Sequence, residues 1–146
     1  MKVLIDDRLL RSVLLEREPP GLRRVRRSDR LWTTGAWLYR LCQAVADPAV
    51  QGSLSGPLTE LPPELRTEVA AKLVTLPPEI GTVSLRDVAW DMGQLVHRHR
   101  LNFLAVEALA AARLVGATIC VGLGNVSPRL EAAAAVERVR FRVIEA

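Results

Sequence analysis

Residues 101–146 read LNFLAVEALAAARLVGATICVGLGNVSPRLEAAAAVERVRFRVIEA. The spacing predicts an alanine-rich helix from about Asn102 to Val115, stopped by Gly116, then a strand Ala117–Val121. A loop GLGNVSP, a helix Arg129–Arg138 and a strand Arg140–Ile144 follow. Strand, helix and strand in that order require a crossover between parallel strands, which is right-handed in nearly all proteins. At the other end of the chain, MKVLIDD places Asp6 and Asp7 where a first strand, Lys2–Ile5, runs out. In open α/β sheets chemistry gathers at the carboxyl ends of strands, so the candidate site starts at these two aspartates.

The remaining elements fit the same alternation. Asp6 or Asp7 can cap a helix through Leu9, Leu10, Val13 and Leu14, ended by Pro19, Pro20 and Gly21. Leu31–Thr33 reads as a second strand, and Thr34 and Gly35 open a helix that stops at Asp47-Pro48. DPAVQGSLSGPLTELPP, residues 47–63, reads as a surface connection, after which Pro62 and Pro63 start a helix to about Val74. Ile80–Val83 reads as a minor strand. Ser84 with Asp87 forms a capping-box pattern before a helix with Val88, Ala89, Met92, Leu95 and Val96 on its apolar stripe.

The length of 146 residues fits one domain, 1–146, and a composition 49% hydrophobic and 25% charged is that of a globular chain. No apolar run reaches the roughly 18 residues of a membrane span, and Asp6, Asp7 and Arg8 interrupt the place a signal peptide would keep apolar. A cytoplasmic protein is the expectation. Cys42 and Cys120 are too few for a disulfide framework or a zinc site and read as small buried side chains.

The net charge is +4, and eighteen of the 20 basic residues are arginine. Arg8, Arg11, Arg17, Arg23, Arg24, Arg26, Arg27 and Arg30 fall in one early stretch, which admits two readings: a phosphate-binding patch near the site, or, for Arg23 to Arg30, a solvated loop. Asp87 and Asp91 at i, i+4 read as a solvated, arginine-paired face. His97 and His99 lie on different sides of a helix and suit a helix end, where cations meet the negative end of the dipole. GLGN reads as a turn, and Trp32, Trp37 and Trp90 as packing or interface residues.

In order and content, VLIDDRLLRSVL, LWTTGAWLYRL and LNFLAVEALAAARLVGATICV resemble the PIN domain, the fold of the VapC ribonuclease toxins of bacterial toxin–antitoxin pairs. The resemblance implies an α/β fold, a three-layer α/β/α domain with a mostly parallel sheet of four or five strands. It also implies a magnesium or manganese site built from three or four carboxylates, because hard cations prefer oxygen ligands. Asp6 matches the first of these and is the one metal-ligand candidate. The family's glutamate falls at Arg40 or Tyr39, its next aspartate at Ala105 and its last near Leu123, with Asn125 the closest oxygen ligand.

An arginine at position 40, if it points into the pocket, would pair with Asp6 in place of a metal. Glu107 is a candidate replacement ligand, but two residues, about 200° of helix, separate it from position 105, so it faces another side. Asp7 is expected to turn away from Asp6. Three functions follow as expectations. The first is a PIN-like domain with a weakened or lost nuclease site and retained RNA or partner binding, with Arg8, Arg11, Arg23, Arg24, Arg26, Arg27 and Arg40 as RNA-binding candidates. The second is an active magnesium- or manganese-dependent endoribonuclease toxin, with Asp6, Asp7, Glu107 and Asn125 as catalytic candidates and an antitoxin protein as partner. The third is a structural or regulatory dimer without a nucleic-acid role. A homodimer and no membrane association are implied in each.

Overall fold

A computed structural model describes residues 1–47, 49 and 52–145. Five strands form one all-parallel sheet in the order β3-β2-β1-β4-β5, with β1 Lys2–Ile5, β2 Leu31–Thr34, β3 Ile80–Val83, β4 Ala117–Gly122 and β5 Phe141–Ile144. The central strand β1 pairs with β2 (Val3 opposite Leu31) and with β4 (Ile5 opposite Cys120), as parallel crossovers require. The helices are α1 Asp7–Leu14, α2 Pro20–Arg26, α3 Gly35–Ala46, α4 Gly56–Thr59, α5 Pro63–Val74, α6 Leu85–His99, α7 Phe103–Val115 and α8 Pro128–Val136.

Because alternate strand residues face opposite sides, β1 feeds two cores. Leu4 joins Ile119 and Val121 under α6, α7 and α8, whereas Val3 and Ile5 join Leu31, Ile80 and Cys120 under α1, α2, α3 and α5. Helices therefore cover both sheet faces, which makes the domain a three-layer α/β/α sandwich. The alanines of α7 let it pack closely: Ala105 to Ala112 are all buried. Asn102 caps its start by accepting from Ala105 N at 2.9 Å. Gly116 ends it at φ 71°, a left-handed conformation that glycine adopts without strain.

Four sequence expectations need correction. Arg23, Arg24 and Arg26 lie in α2 and not in a loop, because Pro20 occupies its first turn, where the missing N–H costs nothing, while Arg27–Arg30 do form the turn and irregular segment that follow. Segment 47–63 is a connection with exposed residues, but not a surface one throughout: Leu54, Ser55, Leu58 and Leu61 are buried, and Ser55 Oγ donates to Ala44 O at 3.0 Å. Pro48, Val50 and Gln51 of that segment lie outside the described residues. Ser84 is the N-cap of α6 but makes no side-chain cap bond, so the capping box does not form. Cys42 is only half-buried, while Cys120 is fully buried. Among the described residues, no helix is long and apolar enough to cross a membrane.

The carboxylate pocket at the end of the first strand

Asp6 follows β1 and is the N-cap of α1. Its extended backbone (φ −77°, ψ −179°) aims the carboxylate back over the helix start, where Oδ1 accepts from Leu9 N at 2.9 Å. The parallel pairing with β4 brings the other end of the chain to the same point. Oδ2 accepts from Gly122 N at 2.9 Å and from Asn125 Nδ2 at 2.8 Å. The same amide reaches Asp7 Oδ1 at 2.6 Å, so Asn125 bridges the two carboxylates. Both aspartates are fully buried.

Asp7 thus does not turn away from Asp6, as the sequence led one to expect; the short turn Leu123–Asn125 gathers both. Arg40 does point into the pocket, but its partner is Asp7: Nε lies 3.3 Å from Oδ2. That oxygen has no aligned hydrogen bond among the described residues, so the contact is an ion pair alone.

Burial strips water from Asp6 and pushes its carboxyl up to about 6; the adjacent charge of Asp7 adds to this, while the bonds from Leu9, Gly122 and Asn125 oppose it. Two more arginines close the pocket. Arg11 is buried and donates through Nη1 to Leu54 O at 2.7 Å. Its desolvation and the neighbouring Arg8 weaken its hold on its proton, and the two aspartates restore part of it. Arg8 lies across the loop after β4: a Cβ at Gly124 would sit 2.3 Å from its guanidinium carbon, and one at Gly122 3.1 Å from its Cβ. A side chain at either position would displace it.

Glu107 is buried on α7, yet it does not join the aspartates. Oε1 accepts from Ala36 N at 2.8 Å, which places a carboxylate on the N-terminus of α3, where the helix dipole favours it. Among the described residues, no three His, Cys, Asp or Glu side chains are grouped so that they could hold a metal ion.

The arginine run does not form one patch. Arg26 is bound to Glu18 through Nε and Nη2, and Arg23 donates to the Glu18 carbonyl. Arg24 and Arg27 are exposed. Asp29, two residues further on, pairs with the Met1 amino group at the amino end of β1, the opposite rim from Asp6. Asp91 pairs with Arg113, and His99 with Glu137. Trp37 is buried in the core, while Trp90 is 82% exposed on α6.

The roles of Asn125 as a bridge and of Gly122 as a donor lay outside the reach of sequence, because both depend on the register of β1 against β4. No known family profile matches the chain, and no curated protein matches its sequence. Its backbone is similar to the crystal structure of PAE2754 from Pyrobaculum aerophilum, with a TM-score of 0.51 and 14% sequence identity over 91% of this chain and 87% of the other. At that identity the likeness concerns the fold, and function has to be argued from the pocket.

Proposed function

We propose that this chain is a PIN-like domain related to metal-dependent toxin ribonucleases, in which the carboxylate pocket has become a closed structural site and binding of RNA outlasts cleavage. The carrying observation is the occupation of the aspartates by nitrogen donors. Each oxygen of Asp6 accepts an N–H, and Asp7 lies between the Asn125 amide and the Arg40 guanidinium. Magnesium and manganese give up water reluctantly and need several anionic oxygens in return. Here a cation would have to displace three donors and approach a guanidinium, so the donor set does not fit it, and no hydrolytic step is assigned to the pocket.

Two other readings have support of their own. The adjacent aspartates at the carboxyl end of β1 favour an active endoribonuclease toxin, acting with an antitoxin, if Asn125 and Arg40 swing aside. The exposed Trp90 on α6 favours a homodimer, since large aromatic side chains anchor interfaces. Incubation of labelled RNA with magnesium or manganese separates these. The proposal expects cleavage no faster than in a chelator control, together with RNA binding that weakens as salt rises. Metal-dependent cleavage abolished by Asp6→Asn would replace it with the toxin reading; absence of any RNA binding would leave the dimer.

A further inference from the structure

The arginines sort by what they touch. Arg40 is held by Asp7, Arg26 by Glu18, Arg98 by Glu137, and Arg113 by Asp91 and Glu137. Arg24, Arg138, Arg140 and Arg142 share exposure and the lack of an ion pair among the described residues with Arg17, Arg27, Arg66, Arg86, Arg100 and Arg129, and differ from them in being gathered at one place. All four are exposed, and among the described residues none has a carboxylate within 4 Å. All four also flank β5, the edge strand of the sheet.

Two grooves run along that strand. One, of about 410 Å³, opens at its start between Arg113, Gly116, Arg138 and Arg140. The other, of about 600 Å³, lies beside its later residues, between Arg24 and Val25 of α2 and Arg142 and Val143 of β5. Arg140 and Arg142 are two residues apart in extended chain, so they project to one side roughly 6.6 Å from each other. Successive phosphates of an extended nucleic-acid strand are spaced similarly. Arg138 sits just past α8 at φ 60°, a conformation in which glycine is the relaxed choice and an L side chain is strained. The dipole of α8 attracts a cation there; it does not account for the unpaired arginines that continue along β5.

We infer that the β5 edge and its two grooves form a contact surface for the sugar–phosphate backbone of single-stranded RNA. The surface leads toward Ile144, which is paired with Gly122, the residue that donates to Asp6. RNA held there would lie alongside the carboxylate pocket without entering it. The grooves are lined by Arg113, Arg138, Arg140, Arg24 and Arg142 together with one glutamate each, Glu137 and Glu145; such concave, mainly basic surfaces admit a single strand, whereas a flat bilayer surface would not reach their floors. This inference rests on the RNA-binding reading above and gives it a location.

The test is fluorescence anisotropy of a labelled oligouridylate against the whole chain, across a salt series, with the double variant Arg140→Gln, Arg142→Gln. Each phosphate contact on a single strand contributes about 0.7 to the slope of log affinity against log salt, so losing two lowers the slope by about 1.4 and weakens binding about 25-fold at roughly 0.1 M salt. The double variant Arg23→Gln, Arg26→Gln, whose arginines are engaged with Glu18, stays close to wild type. Neither Arg140→Gln nor Arg142→Gln removes an ion pair among the described residues, and an unchanged urea midpoint confirms folding. Wild-type binding with an unaffected β5 variant would overturn the surface while leaving RNA binding in place. A wild-type chain that binds no RNA would overturn both. Capture by phosphatidylserine vesicles in preference to RNA, lost in the same β5 variant, would overturn the assigned partner.

Discussion

Asp6→Asn tests the electrostatics of the pocket through the pH dependence of stability. The folded Asp6 carboxyl titrates at about 6, against 3.8 for the free side chain. Its folded-state value is raised, so between these two values the native state holds a proton that the unfolded chain releases. Stability then falls as pH rises from about 4 to above 6, the reverse of a salt-bridged aspartate. A difference of about 2 units corresponds to about 3 kcal/mol, and full burial leaves little solvent screening to reduce it. Other groups contribute to the pH dependence as well; Glu137, for one, is held below the usual carboxylate range chiefly by its bond from His99. The comparison with Asp6→Asn cancels them. Urea unfolding of both proteins across pH 4 to 8 is expected to show the wild type losing about 3 kcal/mol relative to the variant. A flat difference, or a wild type that gains on the variant with rising pH, would refute the reasoning. So would a reversal of the slope on adding magnesium, because a bound cation would pull the carboxyl down.

Two further substitutions test the packing. Leu54→Ala removes a buried side chain from the connection between α3 and α5; a loss of about 2–4 kcal/mol in urea unfolding is expected, against almost none if that segment merely covers the surface. Gly81→Ala would set a Cβ 2.6 Å from the Trp32 ring, whose flat body cannot bend aside; a loss of about 1–3 kcal/mol and an altered tryptophan fluorescence spectrum are expected, and an unchanged midpoint would contradict the close approach.

Much of the fold could be read where local chemistry and tertiary packing agree. Lys2–Ile5 is a short apolar run followed by a capping aspartate, and Asn102, the alanine helix and Gly116 mark a start, a buried body and a stop. Reading failed where a single cue prevailed. Pro, Gly and Ser in residues 47–63 read as surface, although Leu54, Leu58 and Leu61 recur at helical spacing and cover a core. Eight early arginines read as one group, although Glu18 engages two of them. The aspartate pair could be found because it ends a strand. Its partners could not: Asn125 is recruited by strand pairing, Arg40 chooses Asp7 over Asp6, and Glu107 serves α3, a neighbour that helix periodicity alone does not specify.

The link from Asp6 to Gly122 and Asn125 spans 116 and 119 residues of sequence. Such distant partners make their contacts late, after most of the loop between them has been ordered. Until β4 pairs with it, β1 has a neighbour on one side alone. Any fragment lacking the last quarter of the chain leaves that strand with a bare edge and a misplaced pair of negative charges. Pairing of β4 with β1 therefore closes the edge and the carboxylate pocket in one step.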